Sequence, residues 1–232
     1  YRFFSEGDSE VILKAYHAWG EDCVKRFNGM FAFAVWSEAE RSLFLARDRM
    51  GIKPLYWSRE GGRFRFASSL PALVAAGSID TALDPVALHH HLTLHAVVPA
   101  PHPLPKAVRK LAPGHTMMLE ADGRSEVRPY WQLEARRLEP ALGDQAWLTR
   151  VRAELLAAVE RQQTAADVPV GVLLSGGLDS SLLVGLLTEL GHRDLQTFSI
   201  GFGDAAHGAG DAGNEFQYSD AVASHFRTRH RK

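Results

Sequence analysis

Val170-Gly171-Val172-Leu173-Leu174-Ser175-Gly176-Gly177-Leu178-Asp179-Ser180-Ser181 is the stretch on which the fold turns. Four apolar residues around Gly171 predict a short buried strand, and Ser175 to Asp179 form a turn too rich in glycine to prolong it. Beyond the turn, Leu182, Leu183, Leu186, Leu187 and Leu190 recur at three- and four-residue steps. That spacing predicts a helix over Ser180–Leu190, stopped by Gly191. The unit is strand, glycine loop, helix. Two adjacent glycines let a ligand approach the backbone, and the first N–H groups of the helix lack partners and point toward the loop. With the positive end of the helix dipole they form a cradle for an anion such as a phosphate.

Ser175, Ser180 and Ser181 add hydroxyl donors, and Asp179 is placed to hold a magnesium ion that bridges to phosphate oxygens. No lysine lies in the turn, so the Gly-x-x-x-x-Gly-Lys phosphate loop is excluded, and a Gly-x-Gly-x-x-Gly dinucleotide pattern is absent. The bland alternative is a tight strand-to-helix turn with serines as caps. The residues resemble the Ser-Gly-Gly-x-Asp-Ser pyrophosphate loop of the ATP pyrophosphatase superfamily, whose members cut ATP between the α and β phosphates to adenylate a substrate.

Downstream, Leu195–Ile200 reads as a second strand, Gly201–Gly213 as a flexible glycine-rich loop, and Glu215–Phe226 as a helix. Upstream, Asp144 is the expected cap of a helix over Gln145–Gln163 that buries Leu148, Val151, Leu155 and Val159. Strands alternating with helices predict a parallel, doubly wound domain. The pattern fades over Gln132–Gly143, so the expected division is 1–131, a linker 132–144, and 145–232.

In the first part, Asp8 or Ser9 is the expected cap of a helix over Glu10–Trp19, and Met30–Trp36 and Ser42–Ala46 read as buried strands. A short strand is expected near Tyr56, another over Arg63–Ala67, and a short helix over Leu70–Ala76. Pro85–Leu94 reads as a helix carrying His89, His90 and His91, with His95 one turn on. His91 and His95 have the spacing of a metal pair, but no carboxylate or cysteine flanks them, so surface histidines are the expectation. Pro99, Pro101, Pro103 and Pro105 make an extended connector. Ala121-Asp122-Gly123-Arg124 is a hairpin signal between His115–Glu120 and Ser125–Trp131.

Three groups of residues here carry a second resemblance: Ser5-Glu6-Gly7-Asp8-Ser9-Glu10-Val11-Ile12-Leu13 after the two phenylalanines, Asn28-Gly29-Met30-Phe31-Ala32-Phe33-Ala34, and Arg47-Asp48-Arg49-Met50-Gly51-Ile52-Lys53-Pro54-Leu55-Tyr56. They resemble the second half of a class II glutamine amidotransferase domain, an N-terminal nucleophile hydrolase with a four-layer αββα sandwich. Followed by the pyrophosphate loop, the chain is similar to the glutamine-hydrolysing asparagine synthetase family. The fold class implied is α/β with an α+β first part: part of an αββα sandwich, then the start of a doubly wound parallel-sheet domain like the adenine nucleotide α-hydrolases.

The resemblance implies two reactions. An N-terminal cysteine, with its own α-amine as base, releases ammonia from glutamine. ATP adenylates a carboxylate, and ammonia displaces AMP to form an amide. Asp8 matches the aspartate that binds the glutamine α-ammonium, its bland alternative being a helix cap. Leu173 and Ile200 match positions lining adenosine, and Ser175, Gly176, Gly177, Asp179 and Ser180 match the pyrophosphate site. ATP and Mg2+ are the implied cofactors, and glutamine, ATP and a carboxylate such as aspartate the small-molecule partners. A homodimer is a possible assembly. No catalytic residue is assigned within the chain, because Cys23 is internal and reads as a small buried residue near a helix end. The nucleophile is expected upstream of Tyr1, and the chain is expected to be an internal piece of a longer enzyme, inactive alone. Arg47-Asp48-Arg49 reads as a structural salt-bridge turn.

Composition agrees with an ordinary globular chain: 232 residues, net charge -1, 46 % hydrophobic and 23 % charged. The balanced charge gives no footprint for nucleic acid, and the basic end Arg227–Lys232 reads as a solvated terminus. One cysteine allows no internal disulfide and favours a reducing, cytoplasmic setting; no run is long enough to span a bilayer. Leu88–Leu111, with Thr93–Pro101 within it, Asn214–Asp220 and Ser69 look closer to the N-acetylglutaminylglutamine amidotransferase branch than to asparagine synthetase proper, which makes an acetylated dipeptide the alternative carboxylate. A different pyrophosphate-loop enzyme would have no use for the first part. A non-catalytic nucleotide-binding module remains the third reading.

Overall fold

The computed structural model describes residues 1–137, 141–166, 168–201 and 215–232. They divide into two units, Tyr1–Ala135 and Arg136–Lys232.

In the first unit helix α1 spans Asp8–Trp19, and its N-cap is Gly7, whose extended backbone brings no capping side chain. The expected cap, Asp8 or Ser9, is therefore corrected: Asp8 is the first helical residue, where its charge faces the positive end of the helix. A 3-10 segment, Gly20–Arg26, follows and buries Cys23 and Val24. Strands β1 (Ala32–Ser37), β2 (Ser42–Arg47), β3 (Tyr56–Glu60) and β4 (Arg63–Ala67) come next, then helices α2 (Leu70–Ala75) and α3 (Pro85–Thr93). Strands β5 (Val108–Lys110), β6 (His115–Leu119) and β7 (Ser125–Pro129) complete the unit. Strand β5, too short to show a period, was not foreseen.

These strands make two antiparallel sheets, in the orders β1-β2-β6-β7 and β4-β3-β5. The side-chain alternation of β2 explains how they stack. Phe44 and Ala46 join Ala15, Cys23, Val24 and Val35 in the core under α1. Leu45, pointing the other way, joins Leu55, Leu111 and Met117, with Trp57 and Phe64 of the second sheet closing over them. Phe44 and Leu45 are both fully buried. Around β2 the sheet thus has both faces covered, which is why the β1 and β2 segments read as nearly continuous apolar runs, while β7 at its edge is exposed. Helix α2 packs on β3 and β4.

In the second unit helix α4 spans Asp144–Thr164, β8 Gly171–Leu173, α5 Leu178–Glu189, β9 Gln196–Phe198, α6 Phe216–Phe226 and β10 Arg229–Arg231. The sheet is parallel in the order β10-β9-β8, so each helix between strands is a crossover. Its core gathers Val172, Leu174, Val184, Leu187, Leu195 and Ala223. Three expectations are corrected. Gly143, not Asp144, caps α4, and of that helix's expected buried face Leu148 and Val151 are exposed, Leu155 borders on it, and Val159 alone reaches the core. The strand of the opening stretch is buried on one side only, because Val172 and Leu174 point into the core while Leu173 points out, and Val170, ahead of the strand, is exposed. The basic terminus is not a free tail: Arg229–Arg231 pairs with Gln196–Phe198 as β10. The expected loop Gly201–Gly213 lies, after Gly201, outside the described residues.

Candidate functional site

The glycine loop leaves the sheet where β8 ends. Leu173 pairs with Phe198, the Leu174 amide donates to the Phe198 carbonyl at 2.7 Å, and Ser175 begins the turn. Gly176 has φ +86°, a conformation that glycine adopts without cost. A Cβ built there would stand 2.5 Å from the Tyr218 Cβ and 2.6 Å from the Ser219 amide nitrogen. The first turn of α6 is thus closed against the loop, and only a hydrogen fits between them. Gly177 caps α5, leaving the amides of Leu178, Asp179 and Ser180 in its first turn, where helical pairing supplies no acceptor.

Two of the predicted hydroxyls come together. Ser175 Oγ accepts from the Gly177 amide at 3.2 Å and lies 3.0 Å from Ser180 Oγ, which donates to the Gly177 carbonyl at 3.2 Å. Ser175, Gly177 and Asp179 are exposed, and Gly176 and Ser180 half-buried. Leu173 and Ile200, 70 % and 78 % exposed, stand past or at the C-terminal ends of adjacent parallel strands, the edge where open α/β sheets take their ligands. On their neighbour Gly171, the Phe198 ring occupies the space a Cβ would need, 2.7 Å away.

Asp179 makes no ion pair among the described residues, and there no group of three His, Cys, Asp or Glu could hold a metal. The loop therefore builds no metal cage of its own. A lone exposed carboxylate beside an anion cradle fits Mg2+, which is ordinarily held by one or two carboxylates together with substrate phosphates. His89, His90, His91 and His95 are likewise not part of any group of three such side chains among the described residues.

In the first unit Asp8 is exposed and its side chain makes no ion pair or hydrogen bond among the described residues, so the reading of it as a plain cap fails while its charge stays free. The segment leading to it is fixed by a residue that sequence reasoning missed. Glu10, only 8 % exposed, accepts from the Phe4 amide at 3.1 Å, the Ser5 amide at 2.7 Å and the Ser5 hydroxyl at 2.6 Å, and pairs with Lys14. Burial alone would raise this carboxyl, but Lys14, the Ser5 hydroxyl and the two amides outweigh it and hold it down at about 2. Lys14 also lies 4.4 Å and 4.6 Å from the ring centroids of Phe3 and Phe4. The available signal was an acid four residues before a lysine, set at the head of an apolar helix stripe.

The Arg47-Asp48-Arg49 turn is corrected from a salt-bridge network to a backbone anchor. Asp48, 1 % exposed, accepts from the amides of Met50, Ile52 and Lys53 at 3.1, 3.0 and 2.9 Å. Arg47 donates to the carbonyls of Lys53, Leu111 and Gly51. Cys23 is fully buried, and burial pushes its thiol up to about 11, as a structural cysteine requires.

Residues 1–131 match the family described as "Glutamine amidotransferase domain", and residues 150–232 match "Asparagine synthase". The chain belongs to the glutamine-hydrolysing asparagine synthetase family. A relative from Methanocaldococcus jannaschii is 37 % identical over 228 residues, covering 96 % of this chain and 42 % of its own. Asparagine synthetase [glutamine-hydrolyzing] 3 of Bacillus subtilis is 36 % identical over 206 residues, covering 87 % of this chain and 33 % of its own. The chain therefore spans between a third and just over two fifths of the length of these relatives. Among solved structures, the glutamine phosphoribosylpyrophosphate amidotransferase of B. subtilis complexed with ADP and GMP aligns at 16 % identity and a TM-score of 0.38, over 59 % of this chain and 25 % of that one. Among the described residues no helix is long and apolar enough to cross a membrane.

Proposed function

We propose that the protein takes part in ATP-dependent amide synthesis fed by glutamine, with aspartate as the carboxylate, as the names of its relatives suggest. Residues 1–131 are the later portion of the glutaminase, 132–144 a linker, and 145–232 the start of the synthetase, working in the cytoplasm. The observation that carries the reading is the exposed Ser175–Asp179 loop at the C-terminal edge of a parallel sheet, backed by α6, in a chain whose other unit is an amidotransferase.

A carboxylate is a poor electrophile because its oxygen is a poor leaving group. Its oxygen attacks the α-phosphorus of ATP, pyrophosphate leaves, and the acyl-adenylate is opened by ammonia, which forms the C–N bond as AMP departs. Ser175 and Ser180, now bonded to each other and to Gly177, exchange those bonds for phosphate oxygens. The amides of Leu178, Asp179 and Ser180 add donors at the positive end of α5. Gly176 and Gly177 let the phosphates reach the backbone, and Leu173 and Ile200 give adenosine an apolar surface. Asp179 holds the Mg2+ that accompanies ATP, an ion that neutralises phosphate charge. Asp8 pairs with the α-ammonium of glutamine.

The test is the full-length protein given amide-labelled glutamine, ATP and aspartate. AMP and pyrophosphate in equal amounts, with label in asparagine, are expected. Release of ADP, or AMP formation that ignores the carboxylate, would sink the reading. Turnover of an acetylated glutamine dipeptide in place of aspartate would keep the chemistry and change the substrate.

A further inference from the structure

Behind the glycine loop lies a buried chain of hydrogen bonds. Ser199, past the end of β9 and 9 % exposed, donates its hydroxyl to the Leu174 carbonyl, the first one beyond the last β8–β9 pair. Its Oγ is also 3.3 Å from His230 Nε2 on β10. His230 Nδ1 is 2.9 Å from Thr197 Oγ1, which is 2.7 Å from Thr228 Oγ1. The His230 side chain is 11 % exposed, and Asp220 of α6 stands 3.8 Å from its Nε2 while pairing with Lys232 at 2.7 Å.

Proton counting gives this chain a direction. A carbonyl oxygen only accepts, so the single hydroxyl proton of Ser199 goes to Leu174. The contact with His230 is then a donation from Nε2–H into Ser199 Oγ. In a neutral imidazole the other nitrogen accepts, so Thr197 donates to Nδ1 and Thr228 donates to Thr197. For a neutral ring this assignment satisfies every atom, and Asp220, beside Nε2, favours a proton on that nitrogen.

The end of the chain is what matters. The Leu174 carbonyl and the Ser175 N–H belong to one planar peptide, so fixing the carbonyl aims the first amide of the loop. Resting on the loop reading given above, we propose that His230 is a positioning residue for the pyrophosphate loop, acting through Ser199 on the Leu174–Ser175 peptide. Asp220 ties the same histidine toward α6, whose first turn closes on Gly176, so both supports of the loop meet at His230.

The experiment measures ATP affinity by calorimetry in the full-length protein for wild type, Ser199→Ala, His230→Ala, His230→Asn and His230→Gln, with thermal stability recorded alongside. A glutamine amide nitrogen reaches the place of Nε2; an asparagine amide reaches only that of Nδ1. Ser199→Ala, His230→Ala and His230→Asn are each expected to weaken ATP about threefold to tenfold. His230→Gln is expected to recover to within about twofold of wild type, and His230→Ala with Ser199→Ala together to be no worse than either alone. Unchanged affinity in every variant, or Gln no better than Asn, overturns the proposal. So does a nitrogen-15 spectrum of the wild-type ring with Nε2 unprotonated, which needs no variant to fold. A wild type that binds no ATP removes the loop reading itself, and the proposal with it.

Discussion

Gly176 and Tyr218 are held closer than any side chain allows: a Cβ on the glycine would lie 2.5 Å from that of the tyrosine. With φ at +86°, Gly176→Ala meets both a backbone penalty and a collision with a helix that cannot yield at one atom. The variant is expected to lose at least about 2 kcal/mol of stability in the second unit and to bind ATP at least about tenfold more weakly. Urea unfolding and calorimetry check both. Wild-type affinity in a folded variant would show that α6 does not hold the loop.

Asp8 has no partner competing for its charge among the described residues. Its removal should therefore act on glutamine binding far more than on the fold, where it loses only a modest helix-dipole interaction. Asp8→Asn is expected to raise KM for glutamine about tenfold to a hundredfold, the loss of one charge-assisted contact, and to leave synthesis from free ammonia at its wild-type rate. Equal losses with glutamine and ammonia would place Asp8 outside the glutamine site.

Asp48 holds three amides of the loop that joins β2 to β3, all facing one buried carboxylate. Asp48→Ala leaves those amides without acceptors and is expected to cost about 2 to 4 kcal/mol. Denaturant unfolding of the first unit measures it; a loss below about 1 kcal/mol would mean that water replaces the carboxylate.

Much of this was legible because periodicity reports burial. The apolar runs at β1 and β2 announced strands covered on both faces, as β2 is, and the leucines of α5 announced a helix. The Ser175–Ser180 loop was readable because its glycines are wanted for what they lack. What escaped was set by distant partners. Glu10 looks like any helix acid until Phe4 and Ser5 fold back onto it. The terminus Arg229–Arg231 has a charged composition, and only its pairing with Gln196–Phe198 makes it a strand. The face of α4 was misread because an amphipathic pattern fixes which side is apolar, not what covers it.

Cys23 tests the distinction between a structural and a reactive thiol. Fully buried and pushed up to about 11 by burial, it carries almost no thiolate near neutral pH. Peptide mapping after treatment of the full-length protein with an aromatic disulfide reagent is expected to show Cys23 unlabelled in the native state and labelled once urea is added. Cys23→Ala should retain glutamine-dependent ammonia release in the full-length protein. Fast labelling of the native state would show that the 3-10 segment opens.

Glu10 contributes to the acid sensitivity of the first unit. Its folded carboxyl sits at about 2, below the ordinary 4.5, so the folded state prefers the charged form. The resulting stability is complete above pH 4.5 and is lost progressively as the pH falls from 4.5 toward 2. Glu10→Gln lacks that dependence while keeping the side chain's length. Thermal midpoints of both proteins should differ most near neutral pH and converge below pH 4.5. A difference that stays constant down to the acid transition would mean that the charge on Glu10 does not hold Phe4 and Ser5, and that packing of Phe3 and Phe4 around Lys14 fixes the approach to Asp8 instead.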